Sequence, residues 1–257
     1  MTYQFIDVVY TNDVMEVSIQ RPEVLNALNI QAHAELADVF DKFANASALN
    51  IAVIRGSGER AFCVGSDLKE RAEVGSDMMP PSGFAGLTER FDLDKPVIAL
   101  VNGDAIGGGL EIILACDLAI AVDTARFGLP EPKVGLAASG GLHRLARQLP
   151  LKRAMEISLM GKLFDATTAS DLGLINEVVP RKSLEKTKER YLSDLRECSP
   201  LALRATKQMM LQGLAQGSLE NAFRAKYPSF QRMLASEDAK EGVQAFAEKR
   251  KPVWKCR

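Results

Sequence analysis

Three consecutive glycines, Gly107-Gly108-Gly109, stand after the apolar run from Lys95 to Gly103 and before the apolar run LEIILACD. The first run reads as a buried strand and the second as a helix. A strand that turns into a helix through glycine brings the helix's first amides, which have no acceptor within the helix, close to whatever lies beside the turn. Such a junction belongs to a layered α/β chain, in which strands feed helices that pack back onto a sheet.

The remaining sequence agrees with that class. FIDVVY and VMEVSIQ read as strands joined at Thr11-Asn12-Asp13, a hairpin signal. From Asn29 to Ala46 the residues Ile30, Ala34, Leu36, Ala37, Phe40 and Phe43 recur at helical spacing. IAVIRG, from Ile51 to Gly56, reads as a buried strand. Ala61 to Val64 is a further short apolar run, with Ser66 or Asp67 placed to cap a helix through Arg71. Gly, Ser, Asp and Pro80-Pro81 predict a mobile loop from about Ala72 to Ser82. LAIAVDTA is the next strand. Beyond Pro130-Glu131-Pro132 the chain turns mainly helical, with LINEVV as a short edge strand. Ser199-Pro200 reads as an N-cap followed by proline at the first helical position. Helical patterning then runs to about Lys226 and resumes from Ser236 to Arg250. No internal repeat stands out.

Composition narrows the functional classes. At 257 residues, with 47% apolar and 25% charged residues, the chain has the makeup of a globular domain. A net charge of −1 gives it no overall electrostatic footprint for nucleic acid or an anionic membrane. The N-terminus lacks a signal-peptide pattern and no apolar run approaches a membrane span, so a cytoplasmic protein is expected. The four cysteines lie far apart and read as reduced thiols, and the two histidines, His33 and His143, show no metal-ligand spacing. No metal site is expected.

Two glycine turns and two glutamates could carry chemistry. Val64-Gly65-Ser66-Asp67 and Gly107-Gly108-Gly109 each place backbone N–H groups at a strand-to-helix junction, where developing negative charge is favoured. Two such donors aimed at one carbonyl oxygen would make an oxyanion hole. Glycines equally serve tight turns and close packing. Neither turn has the spacing of a dinucleotide or Walker loop. Glu111 lies within the apolar run after the triple glycine, where an ionised carboxylate is costly without a partner or a task; a carboxylate at a helix start also favours the helix dipole. Glu131 is held between Pro130 and Pro132. Paired with Glu111 it would give two groups able to move protons at a carbon and a water. Cys63 and Cys116 read as core thiols, His143 as a surface residue, and Ser139 does not form a nucleophile elbow.

With those motifs in order, the chain resembles the enoyl-CoA hydratase/isomerase (crotonase) family over nearly its whole length. The likeness is carried by Arg21-Pro22 with Leu25-Asn26-Ala27-Leu28, by Ala61 to Lys69, and by Lys95-Pro96-Val97 to Gly103. The triple glycine with Glu111, and Phe127-Gly128-Leu129-Pro130-Glu131, complete it. The resemblance implies a ββα spiral core over 1–198 and a helical C-terminal trimerisation subdomain over 199–257. It implies that the N–H groups of Ser66 and Gly108 polarise a thioester carbonyl. Val24, Leu25, Val64, Gly65, Asp67, Leu68 and Gly107 would hold the acyl-CoA, and Glu111 and Glu131 would act on water and the α-proton. Reversible syn hydration of a 2-enoyl-CoA follows, with coenzyme A as part of the substrate, no separate cofactor, and a homotrimer or hexamer as the assembly.

Gly83 to Glu89 and the segments from Ser236 to Lys255 look like a narrower group in that family, acting on a trimethylammonium acyl-CoA. Phe84, Phe91 and Glu89 are the candidates to meet such a cation. One departure stands out: from Gly135 to Gly141 the chain is one residue shorter than the family pattern and lacks its proline. The alternatives are enoyl-CoA isomerisation, which needs one base and no catalytic water, RNA binding, and non-catalytic acyl-CoA binding. RNA binding in a relative uses a lysine-rich first helix, whereas the corresponding helix here sets one lysine against Glu35, Asp38 and Asp41.

Overall fold

A computed structural model describes residues 3–75 and 79–257. The chain divides into two compact units, Met1–Phe91 with Val97–Lys188, and Asp92–Pro96 with Glu189–Arg257. The expected boundary at 198 therefore falls later than the observed one, which lies inside a helix.

The first unit opens with a hairpin. β1 (Ile6–Thr11) pairs antiparallel with β2 (Val14–Ile19), and Asn12 takes the left-handed turn conformation that asparagine tolerates. Helix α1 (Ile30–Asn45) follows, capped by the Asn29 side chain, which accepts from the Ala32 N–H at 2.9 Å. Its apolar face buries Leu36, Val39, Phe40 and Phe43. From there the chain winds in turns of one longer strand, one short strand and one helix. The first turn is β3 (Ile51–Gly56), β4 (Ala61–Cys63) and α2 (Leu68–Val74). The second is β5 (Val97–Val101), β6 (Asp104–Ile106) and α3 (Gly108–Ala115). β7 (Leu118–Val122), β8 (Arg126–Gly128) and α4 (Leu142–Gln148) make the third, after which come α5 (Leu151–Met160), β9 (Phe164–Asp165), α6 (Ala166–Asp171) and β10 (Glu177–Val179).

The longer strands form one sheet in the order β1-β2-β3-β5-β7-β10, parallel from β2 onward. The short strands form a second sheet in the order β4-β6-β8-β9. All five residues of β5 are buried, as expected of a central parallel strand covered on both faces. This is a structural repeat that the sequence does not announce, because each turn fills its positions with different side chains. The short strands β6 and β8 were also not anticipated: three-residue strands are too short to show alternation. Helix α2 continues to Val74, into the stretch expected as loop, where Gly75 caps it in the left-handed conformation. Residues 76–78 of that predicted loop lie outside the described residues.

In the second unit lie most of α7 (Leu184–Arg196), then α8 (Pro200–Leu214), α9 (Leu219–Arg224), α10 (Pro228–Ala235) and α11 (Glu237–Ala247). Ser199 caps α8 as expected, accepting from Ala202 N–H. Between the helical patterns expected to end near Lys226 and resume at Ser236, Pro228 begins α10, a position that suits proline. Asp238 is buried and accepts from the Lys255 N–H at 2.7 Å, pinning the C-terminal strand of chain within this unit. No helix among the described residues is long and apolar enough to cross a membrane.

One buried side chain ties the early turns of the first unit together. Asn26 sits in the left-handed conformation (φ 57°); its Oδ1 accepts from the Arg21 N–H, and its Nδ2 donates to Ser57 O at 3.0 Å and Ala61 O at 2.8 Å. Asn26→Ala removes these three hydrogen bonds, leaving Ala61 O only the longer one from Asn102 Nδ2 at 3.4 Å, and is expected to cost about 3 kcal/mol, readable as a lower urea midpoint; a cost within experimental error would show that the turn holds itself.

Candidate active site

The glycine junction at the start of α3 is the floor of the site. Each of its glycines is pressed from a different side. A Cβ on Gly107, whose φ is +58°, would lie 2.7 Å from Glu131 Oε1; one on Gly108 would enter the Phe84 ring; one on Gly109 would overlap the Cys63 carbonyl oxygen. Only a bare backbone allows the helix to start here.

The second turn lies directly alongside. A Cβ on Gly65 would be 3.1 Å from the Gly108 nitrogen. Leu28 N–H donates to Gly65 O, and Asp67 N–H donates to Leu28 O, each at 2.8 Å, making a single parallel bridge centred on Ser66. Because backbone groups alternate along an extended chain, the Ser66 amide faces away from Leu28, on the side where Ser66 lines a cavity. Gly108 lines the same cavity, and its amide, in the first helical turn, has no intrahelical acceptor.

That cavity has a volume of about 420 Å³ and holds both glutamates. Glu111 is 5% exposed. Burial pushes its carboxyl up to about 7, with the charge of Glu131 adding to the effect and the amides of Gly141 and Gly140 opposing it. Burial likewise raises the Glu131 carboxyl. Glu111 Oε1 and Glu131 Oε2 are buried without a protein hydrogen-bond partner, so each can serve a ligand proton. Glu131 opens a short 3-10 turn through Val134, flanked by Pro130 and Pro132. In the shortened loop Leu136 N–H donates back to Glu131 O at 3.0 Å, and the loop returns to Glu111. Points where a Cβ of Gly140 or Gly141 would sit lie 3.2 Å from Glu111 Oε2 and 3.0 Å from Glu111 Cγ.

Of the other expected residues, Val64, Gly65, Leu68 and Gly107 line the cavity. Val24 and Leu25 do not; they form the 3-10 turn Pro22–Val24 and its left-handed end, on the segment that leads through Leu28 to the Ser66 bridge. Asp67 has a structural position: it caps α2 and pairs with Arg21 at 2.9 Å. Phe84 and Glu89 line the cavity, but Phe91 does not. It is 78% exposed, with the Arg144 guanidinium 5.7 Å from its ring centre. Cys63 is buried, its thiol pushed up to about 12 by desolvation, whereas Cys116 is only half-buried. His143 is exposed on α4, as expected. Among the described residues no cluster of His, Cys, Asp or Glu is placed to hold a metal.

Sequence reasoning missed Thr88, which is buried in the cavity wall and whose Oγ1 accepts from the Phe84 N–H at 2.8 Å. It also missed His33, whose Nδ1 accepts from the Ala85 N–H at 3.1 Å and whose ring meets Phe84 edge-on at 4.5 Å. Its position beside Ala32 and Leu36 on the apolar face of α1 was the available signal.

The family profile described as Enoyl-CoA hydratase/isomerase matches residues 10–257. Curated relatives include proteins named carnitinyl-CoA dehydratase from Citrobacter koseri, 41% identical over 95% of each chain, and from Proteus mirabilis, 40% identical with the same coverage. Among solved structures, an enoyl-CoA hydratase from Mycobacterium tuberculosis superposes with a TM-score of 0.91 at 34% identity, covering 98% of this chain and 99% of that one. A probable enoyl-CoA hydratase/isomerase from Mycobacterium abscessus gives 0.89 at 37% identity with full coverage of both. The layered spiral is thus the crotonase fold.

The raised Glu111 carboxyl has a consequence for stability. It ionises near pH 4.5 in the unfolded chain but near 7 in the fold, so the unfolded chain releases its proton first. The contribution of Glu111 to stability is whole below about pH 4.5 and is lost as pH rises through about 7. Between pH 5 and pH 8 the protein is expected to lose on the order of 3 kcal/mol relative to Glu111→Gln. Urea unfolding of both proteins at the two pH values measures this; parallel behaviour would remove the raised carboxyl from the account.

Proposed function

The chain belongs to the enoyl-CoA hydratase/isomerase family and is a hydro-lyase of that family, and from that premise we propose how this site adds and removes water. The observation that carries the reading is the presence of Glu111 and Glu131 in one cavity, each with an unpaired buried oxygen, beside the Gly108 and Ser66 turns. The Ser66 and Gly108 amides hold the thioester oxygen. They draw electron density from the conjugated double bond and stabilise the enolate that forms when water bonds to the β-carbon.

Hydration needs one acid and one base. With one proton shared by the pair, the ionised glutamate takes a proton from water as its oxygen bonds to the β-carbon. The protonated glutamate gives a proton to the α-carbon. The product carries H and OH across the former double bond, and the pair again holds one proton. Dehydration is the reverse. Acid, base and the donors that polarise the carbonyl all come from the chain, so this chemistry calls for no metal or redox cofactor. Val64, Gly65, Leu68 and Gly107 line the acyl-CoA path, with Val24 and Leu25 on the adjoining segment.

For the acyl group we infer a trimethylammonium substituent, as in carnitinyl-CoA. Support comes from the curated relatives of that name, which match 95% of this chain at about two-fifths identity. We infer a trimer or paired trimers as the assembly. Large apolar side chains left exposed on the second unit, Phe223, Leu219 and Phe246, support a covered surface there.

Glu111→Gln and Glu131→Gln are each expected to lower turnover of an enoyl-CoA about a thousandfold or more while leaving acyl-CoA affinity within a few-fold, followed by loss of the conjugated thioester absorbance. Near-normal turnover in either variant would sink the two-acid mechanism. Conversion of a 3-enoyl-CoA without water uptake would favour isomerisation. The shared proton also sets a pH profile. Above about pH 7 Glu111 gives up its proton and kcat/KM is expected to fall; a rate that keeps rising through pH 8 would rule out a singly protonated pair.

A further inference from the structure

The cavity contains a third acid that the hydration chemistry does not use. Glu89 lines it, and its carboxylate makes no ion pair or hydrogen bond among the described residues. Its placement follows from a turn that the chain holds at several points. Gly83 and Gly86 have φ of +77° and +67°, and Ala85 adopts +54°, a left-handed conformation that costs a non-glycine residue about 1 kcal/mol or more. The compensating bonds are the Phe84 N–H to Thr88 Oγ1, the Ala85 N–H to His33 Nδ1, and the Glu89 N–H to Ser82 O at 3.0 Å. Arg144 Nη2 donates to Thr88 O at 3.0 Å from the other side. The stem of Glu89 lies over Gly83, where a Cβ would come within 2.8 Å of Glu89 Cγ.

The turn also fixes where Glu89 stands relative to the chemistry. The Phe84 ring covers Gly108, the predicted oxyanion donor. Thr88 Oγ1 and Glu111 Oε2 lie 3.1 and 3.2 Å from one point, the place a Gly140 Cβ would occupy. Glu89 therefore follows directly on a residue that borders the catalytic carboxylate. An acyl chain whose carbonyl sits at Gly108 and whose β-carbon faces the glutamates has this wall, with Phe84, Thr88 and Glu89, within the same cavity for a further substituent.

We propose that Glu89 is the specificity-determining counter-charge for a quaternary ammonium group on the acyl chain, with the Phe84 ring as the apolar face beside it. This rests on the hydration and the substrate class inferred above. Glu111 and Glu131 cannot fill the role, because one of them must stay protonated and both must exchange protons during turnover. Arg71 and Lys133, the cavity's cations, would repel the ammonium. A trimethylammonium has no N–H to donate, so it is recognised by charge and by contact with aromatic and methylene surface, which the exposed Glu89 carboxylate and the Phe84 ring supply within one cavity. A neutral acyl group that buries Glu89 would strip water from its charge with nothing in return, so the same residue selects against uncharged chains.

The test compares two substrates that differ only in charge. One is crotonobetainyl-CoA; the other is its carbon isostere, in which a tert-butyl group replaces the trimethylammonium. Hydration of each by the full chain gives a ratio of kcat/KM values, so a general loss of folded enzyme cancels. In Glu89→Gln this ratio is expected to fall about tenfold, and further in Glu89→Lys, the size expected for one partly desolvated charge pair. An unchanged ratio in Glu89→Gln overturns the assignment while leaving hydration intact. If the unsubstituted protein hydrates the isostere but not the cation, the substrate class falls and Glu89 with it. If it hydrates neither but does hydrate crotonyl-CoA, the substrate class falls and Glu89 with it; if it hydrates none of the three, the hydration reading itself fails.

Discussion

The approach of one helix start to one neighbouring strand end is the constraint on which the site depends. At Gly109 the backbone of α3 lies so close to the Cys63 carbonyl that no side chain fits between them, and at Gly65 the neighbouring turn comes within contact of the Gly108 nitrogen. Those two contacts set the first amides of α3 beside the Ser66 bridge. Once they are fixed, the third residue of the helix beyond Gly108 must carry Glu111 into the same cavity, and Phe84 must close over the junction. A single methyl group added at Gly109 would meet the Cys63 backbone and move the helix, and one at Gly107 or Gly108 would press on the Glu131 carboxylate or the Phe84 ring.

Around this rigid floor the chain stores a cost. Two carboxyls share a small, poorly solvated cavity, and burial raises both. Among the described residues neither forms an ion pair. The structure therefore supplies two groups whose protonation is easily changed near neutral pH, at the expense of the stability that a paired or apolar arrangement would give. The backbone amides of Gly140 and Gly141 recover part of that cost for Glu111, which explains why the loop before α4 ends in two glycines: their bare Cα atoms let it approach the carboxylate.

Much of this was legible in the residues. The hairpin, α1, β3, β5 and the helix after the triple glycine follow from local patterns strong enough to survive tertiary context. Glu111 stood out because a charge within LEIILA has to be buried. Other features were not legible, for identifiable reasons. The strands β6 and β8 are too short to alternate. The second sheet they build exists only because β4, β6 and β8 meet from distant parts of the chain. Thr88 and His33 act through backbone groups, at Phe84 and Ala85, and no spacing in the sequence links residues so far apart. Phe91 looked equivalent to Phe84 by type and position, yet it lies beyond the turn, out in solvent. The course of the shortened loop was also hidden: Leu136 bonds back to Glu131, a contact no local pattern announces.

The order of the larger sheet has a consequence for how the chain assembles. Its strands stand side by side in the order they occur in the sequence, β1 to β2 to β3, then β5, β7 and β10, with the intervening short strands set aside into the other sheet. Parallel pairing across long connections is slow for a free chain, because each contact must first close a large loop. Here, however, every strand that emerges from the ribosome finds its partner already made and waiting at the growing edge. Synthesis from the N-terminus can thus proceed as templated growth, one turn of the spiral at a time.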